Sequence, residues 1–238
     1  MVPMYNEEAI AENSIQTILR YIKELPPVFT ILIVNDGSCD STKNIIENLI
    51  RRLNSGSDVQ IISYPINKGY GAALRTGMDF AISKGYEYVI FMDSDLTNHP
   101  RYIKNFYEKI LEGWDYIKAT RYRYGGRVEG VCLQYKIMSR IGNFIAGLLS
   151  GLPLTDFTNG FRAVKVSLLK KLNLKEDSFL LIMEELYQMK YMTNSICEIP
   201  YVLTSRKKGQ GKSHFLYSPQ TCYRYFAYVL KCFFKKHS

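Results

Sequence analysis

Two aspartates one residue apart, Asp93 and Asp95, close an apolar run that begins at Tyr88. Carboxylates in an Asp-x-Asp unit at the end of a buried strand can hold a divalent cation. A cation left open to substrate most often grips a diphosphate. The pair therefore points to a nucleotide or a nucleotide-sugar. It also reads as a helix cap, because Asp95 or Thr97 can accept from the amides of a following helix. Asp36 favours the ligand reading. It too ends an apolar run, in Asn35-Asp36-Gly37-Ser38, where a tight turn presents a carboxylate that can accept from a base or ribose. Asn67-Lys68-Gly69-Tyr70-Gly71 opens a helical segment. Its glycines either let a phosphate or ribose approach the backbone or let the helix start pack closely. Neither a P-loop nor a Gly-x-Gly-x-x-Gly fingerprint is present.

Basic residues supply the complementary charge. Arg121 follows a short apolar run, and Arg206, Lys207, Lys208 and Lys212 gather around Gly209 and Gly211. Arginine offers a bidentate fork to phosphate and lysine a point charge. The net charge of +9 points to anionic partners: phosphates, nucleic acid or an anionic membrane surface. No nucleic-acid recognition motif appears, and the basic residues stand beside glycines and aspartates, which argues against nucleic acid.

Alternating elements must position these groups. Helical spacing covers residues 9–25, stopped by Pro26-Pro27, then 41–53, 71–83 and 102–111. Strand-like runs cover 29–34, 59–64, 88–92 and 116–120. Strict alternation predicts an α/β fold with a mostly parallel central sheet and helices on both faces. Ligands in such sheets sit at the carboxyl ends of the strands, where Asp36, Asp93, Asp95 and Arg121 fall. The second half is less regular: a helix over 131–152, a loop over 156–162, a helix over 178–192 and a strand over 195–203.

The chain of 238 residues, 47% hydrophobic and 22% charged, suits one domain of residues 1–214 followed by a basic, aromatic tail, 215–238. Five scattered cysteines, with no Cys-x-x-Cys pair, indicate neither zinc nor disulfides and favour a reducing compartment. No signal peptide or bilayer-spanning run is read, so a cytoplasmic location is expected. The tail suits either an interfacial helix on the cytosolic face of an anionic membrane or a helix docked on the domain's own core.

Taken in order, Val2-Pro3-Met4-Tyr5-Asn6-Glu7, Val34 to Ser38, Asn67 to Ala73, Asp93-Ser94-Asp95 with His99-Pro100, Thr120-Arg121-Tyr122, residues 156–162 and the basic loop resemble family 2 glycosyltransferases. Within that family the chain looks most like the dolichyl- or polyprenyl-phosphate sugar transferases. The resemblance implies a GT-A fold and an inverting transfer from a GDP- or UDP-linked sugar to a lipid phosphate at a membrane surface, with an integral-membrane partner as one arrangement. Transfer to a sugar hydroxyl and a non-catalytic homologue are the alternatives.

The resemblance also assigns roles. Pro3, Tyr5, Glu7 and Asp36 fall where the family holds the nucleoside, and Val34 and Lys68 are further substrate-binding candidates. Asp93, Ser94 and Asp95 fall on its diphosphate motif, with Mg2+ or Mn2+ on Asp93, Asp95 and Thr97. Arg121, Arg206 and Lys212 are expected on phosphate. Glu184 falls on the family's acidic position as base or acceptor-orienting group, Asp156 is a second candidate, and Glu185 reads as surface. The chain departs from the family at Asn35, where an aspartate is usual, at Thr97, where glutamine is common, and at Asn159, where serine is common. The family's first strand also begins several residues before the motif at Pro3, whereas here Met1 and Val2 alone precede it.

Overall fold

The computed structural model describes residues 1–26, 29–53, 58–206 and, further on, 223–225, 227, 228 and 230. The elements run β1 (Val2–Met4), α1 (Ala11–Ile22), β2 (Ile31–Asn35), α2 (Thr42–Leu53), β3 (Val59–Ser63), α3 (Tyr70–Ser83), β4 (Tyr88–Phe91), α4 (Ile103–Leu111), β5 (Tyr116–Thr120), β6 (Arg127–Val128), α5 (Leu133–Ser150), β7 (Arg162–Lys165), α6 (Val166–Leu169), α7 (Leu181–Met189), β8 (Ile196–Pro200) and β9 (Val202–Leu203).

β1, β2 and β3 pair in parallel. β4, β7, β5 and β8 follow in that spatial order, with β7 antiparallel to both neighbours and β8 parallel to β5. Met1 joins the two groups of strands: its amino group donates to the Ile90 carbonyl at 2.8 Å, and its own carbonyl accepts from Met92 N at 3.2 Å. β1 thus lies between β2 and β4. Alternation along β2 shows why its sequence is apolar throughout. Ile31 and Ile33 enter the cluster under α1, α2 and α4, whereas Leu32 and Val34 meet Ala73 of α3. A strand covered on both faces has no polar side to show. Val34 is fully buried in that contact and does not itself line the neighbouring pocket, so its side chain packs the core instead of touching substrate.

β7 begins at Arg162, the last residue of the loop read over 156–162, and runs on through residues that the sequence pattern leaves unassigned. Its inner residues Arg162, Ala163 and Val164 are fully buried, and it is held between β4 and β5. The loop signals of Asp156 to Gly160 mask a strand that starts two residues later, because a central strand four residues long is too short to show a period. Lys212 and most of the tail lie outside the described residues. Of those described, Tyr225 and Tyr228 pack against the cluster formed by α3, α6 and α7.

Candidate functional site

The carboxyl ends of β1, β2 and β4 meet at a pocket of about 330 Å³ lined by Pro3, Tyr5, Glu7, Asp36, Asn67, Tyr70, Asp93, Ser94, Asp95 and Arg206. Asp36 fixes the pocket's rim: its two carboxylate oxygens accept from the amides of Lys68 (2.7 Å) and Gly69 (2.9 Å). Lys68 thus contributes its backbone to the rim, while its ammonium lies over the Tyr64 ring. The close-packing reading of the glycines holds at Gly71. A Cβ there would lie 2.3 Å from the Glu176 carbonyl oxygen, so protein backbone fills the space a phosphate would need.

Asp93 and Asp95 form the floor. Asp93 Oδ2 accepts from Asn98 Nδ2 at 2.8 Å and Oδ1 from the Tyr70 hydroxyl at 3.3 Å. Burial, then the adjacent Asp95 charge, raises the Asp93 carboxyl to about 6. Asp95 Oδ1 accepts from both the amide and the hydroxyl of Thr97, a local turn that ties that hydroxyl to Asp95, whereas the helical turn that follows is capped by His99, so neither Asp95 nor Thr97 is a helix cap. Asp95 Oδ2 accepts from Arg206 Nε at 2.8 Å. The same guanidinium donates to Glu7 Oε1 at 2.8 Å, and Glu7 in turn accepts from Ser94 Oγ.

The residues fit a divalent cation. Asn98 Oδ1 is buried without a hydrogen-bond partner, and its amide donates to Asp93, so it offers a neutral oxygen donor next to the paired carboxylates. Among the described residues no third His, Cys, Asp or Glu joins the pair. Most of the coordination is then left to water and substrate oxygens, as in a site that binds metal together with a phosphate. Asn98 escaped the sequence reading because its role depends on the turn that folds it back onto Asp93.

A second, larger cleft of about 460 Å³ opens on the other side of the same aspartates. Tyr70, Asp93, Asp95, Phe179 and Arg206 border both spaces. Tyr70 stacks on Phe179, ring centroids 4.2 Å apart, so the two rings make a wall between them. α5 lines the cleft with Met138, Ser139, Gly142, Ile145 and Ala146, and α7 with Ile182 and Met183. Neither Phe179 nor α5 stood out in the sequence as part of a site, because aromatic and aliphatic residues there read as core.

Arg121 borders the cleft, and Asp156 does not act independently of it. Arg121 Nε and Nη2 donate to the two Asp156 oxygens at 2.7 Å each, and Nη2 also donates to Thr158 Oγ1. Burial alone would raise the Asp156 carboxyl, but the Arg121 charge and hydrogen bonds hold it below the usual carboxylate range. Asp156 therefore orients Arg121 and is held in its ionised form by it. Glu184 stands apart from both spaces. Its Oε2 accepts from the amides of Lys175 and Glu176, fixing the segment that packs on Gly71. Glu185, expected at the surface, is fully buried in a bidentate pair with Arg162 and accepts from the Tyr116 hydroxyl. Helical phase decides this: Glu185 shares the inward face with Leu181 and Met189, and Glu184 falls beside it.

Solved structures share this architecture. Glucosyl-3-phosphoglycerate synthase from Mycobacterium tuberculosis, in complex with Mn2+, UDP and phosphoglyceric acid, superposes with a TM-score of 0.66 at 20% identity, covering 100% of this chain and 78% of that one. The same enzyme with Mn2+ and UDP-glucose gives 0.66 at 21% identity, with the same coverage. Among curated relatives, the polyprenol monophosphomannose synthase of Mycolicibacterium smegmatis is 27% identical over 215 residues, 89% of this chain and 79% of the relative. The undecaprenyl-phosphate mannosyltransferase of Micrococcus luteus is 23% identical over 89% of this chain and 85% of its own. The profile described as glycosyl transferase family 2 matches residues 1–172, which hold the whole of the aspartate floor and its rim; the chain belongs to that family and is a glycosyltransferase built on the GT-A fold.

Proposed function

We propose that this protein transfers a sugar, with inversion, from a nucleotide-sugar to a polyprenyl phosphate. The observation that carries the acceptor is the composition of the larger cleft. Its walls are mostly apolar, and its only carboxylates among the described residues are Asp93 and Asp95. A hydroxyl acceptor needs a base within hydrogen-bond reach. Those two carboxylates are crowded together and hydrogen-bonded by Tyr70, Asn98, Thr97 and Arg206, and Glu184 lies elsewhere. A lipid phosphate is already an anion near neutral pH and brings an apolar tail that the α5–α7 walls suit. The relatives named for polyprenol and undecaprenyl phosphate support the same reading.

In this reading the polar pocket takes the nucleoside, with Asp36, Tyr5 and Glu7 on its rim. Asp93 and Asp95, with Asn98 beside them, would hold Mg2+ or Mn2+, which when bound neutralises the diphosphate as a leaving group. Arg206 moves from Asp95 and Glu7 to phosphate oxygens, and Arg121, held rigid by Asp156, faces the cleft as fixed positive charge. The reaction then belongs at the surface of a membrane.

The test is a transfer assay with UDP- and GDP-linked hexoses, Mg2+ or Mn2+, and undecaprenyl phosphate in detergent, with Asp95→Ala as the blank. Sugar is expected on the lipid phosphate with the wild type and none with the variant. Transfer to a sugar hydroxyl in preference to the lipid, or unchanged turnover by Asp95→Ala, overturns the proposal.

A further inference from the structure

α5 carries two different faces. One lines the cleft through Met138, Gly142, Ile145 and Ala146. On another, Leu133, Ile137, Ile141, Phe144 and Leu148 are 68%, 50%, 54%, 72% and 74% exposed. Their spacing of four, four, three and four residues gathers them in a stripe about 80° wide at 3.6 residues per turn. Elsewhere among the described residues, large exposed apolar side chains such as Ile66, Leu111 and Tyr191 stand singly. Scattered apolar residues need no partner, but a contiguous stripe of five does.

We propose that this stripe is a membrane-docking surface whose occupant is an anionic bilayer, with α5 lying along the interface. Three observations select that occupant. The first is charge: Lys136 and Arg140 sit on α5 near the margin of the stripe, and no Asp or Glu occurs between Glu129 and Asp156. Apolar residues flanked by cations and free of anions match the anionic headgroup region. Two copies of this chain paired through the stripe would instead bring those cations together. The second is length. Eighteen residues make a helix about 27 Å long, and no helix among the described residues is long and apolar enough to cross a membrane, so α5 suits lying on a bilayer. The third is continuity. The stripe and the cleft wall are parts of one helix surface, so docking sets the cleft beside the lipid. A prenyl chain then reaches the Asp93–Asp95 floor sideways, without its tail passing through water.

The route into the cleft rests on the lipid-phosphate reading; the docking surface does not. The test is flotation of the full chain with vesicles of phosphatidylcholine and with vesicles enriched in phosphatidylglycerol. Wild type is expected on the anionic vesicles, and Ile141→Ser/Phe144→Ser is expected to lower partition about tenfold or more. Leu111→Ser, a single exposed apolar residue elsewhere, is expected to float as wild type. The double variant should keep wild-type affinity for UDP or GDP with Mn2+ and wild-type transfer to a short, water-soluble prenyl phosphate, which shows it folded. Wild type absent from both vesicles, or a double variant that floats undiminished, overturns the inference. A concentration-dependent dimer abolished by the double variant, without vesicle binding, assigns the stripe to a second copy and also overturns it. If wild type transfers to no prenyl phosphate yet floats, the acceptor reading falls and the docking surface stands.

Discussion

Arg206 Nε lies 2.8 Å from Asp95 Oδ2, and the same guanidinium donates to both oxygens of Glu7. This arginine brings a positive charge directly onto Asp95 and Glu7. A divalent ion on Asp95 with Arg206 still about 4 Å away would be repelled by roughly 8 kcal/mol at an effective dielectric of about 20. A diphosphate entering with the metal removes that conflict by giving the arginine anionic oxygens of its own. Arg206→Ala is therefore expected to bind Mn2+ alone about tenfold more tightly than wild type and to bind UDP or GDP with Mn2+ about tenfold more weakly. Titration followed by electron paramagnetic resonance and calorimetry measures both. Two shifts of the same sign would show that Arg206 does not compete with the metal.

Gly160 lines the larger cleft beside Tyr70 and Asp93, which border both spaces. A Cβ on it would lie 2.8 Å from the Tyr70 hydroxyl and 3.6 Å from Asp93 Oδ1. Tyr70 cannot yield easily, being stacked on Phe179. Gly160→Ala should therefore displace the phenol from Asp93, and Tyr70→Phe should remove the same hydrogen bond without adding bulk. Both variants are expected to stay folded by circular dichroism and to lose about tenfold in Mn2+-nucleotide affinity, the worth of one hydrogen bond to a charged group at its lower end, about 1.5 kcal/mol. Wild-type affinity in both would mean that Tyr70 serves the wall alone.

Glu184 and Glu185 separate by role. Arg162 and Glu185 are both fully buried, so truncating Glu185 strands a guanidinium in the core. Glu185→Ala is expected to cost about 3–5 kcal/mol of stability. Glu184→Ala loses hydrogen bonds to two loop amides, about 1 kcal/mol, and should leave turnover within a factor of about three. Denaturant unfolding and the transfer assay distinguish them. A Glu184→Ala enzyme that folds normally and is inactive would restore that residue as the base.

Lys118 gives a pH signature. It is fully buried, donates to the Asn159 carbonyl at 2.6 Å, and is lowered to about 7 by burial and then by the Arg162 charge, against Asp156, Glu185 and Glu198. Its folded pKa lies below its unfolded value near 10.5, so between pH 7 and about 10.5 the unfolded chain binds more protons. The lysine's contribution to stability therefore rises with pH across that window, and below pH 7 its full penalty is present. Lys118→Met lacks this term. The melting temperature of the variant relative to wild type should be highest near pH 6 and fall by several degrees by pH 10, at about 2–4 °C per kcal/mol. Parallel curves would show that Lys118 does not titrate in this range.

The sequence by itself was enough for the alternating first half and for the polar groups at its strand ends. Asp36, Asp93 and Asp95 each follow an apolar run, and parallel strands must bring such ends to one edge. It also sufficed for the family, through the order of short motifs. It could not separate Glu184 from Glu185, because a one-residue difference in helical phase decides which carboxylate is buried, and phase is set by what the helix packs against. It could not find β7, whose four residues become a strand through pairing with β4 and β5 on either side. It could not assign Asp156 to Arg121, 35 residues away, or seat Arg206 on Asp95, 111 residues away. These contacts join groups distant in sequence, and local pattern carries no information about them. The two faces of α5 were decided in the same way. It carries apolar residues on more than one face, and only the packed fold shows which of them line the cleft and which remain open to a bilayer.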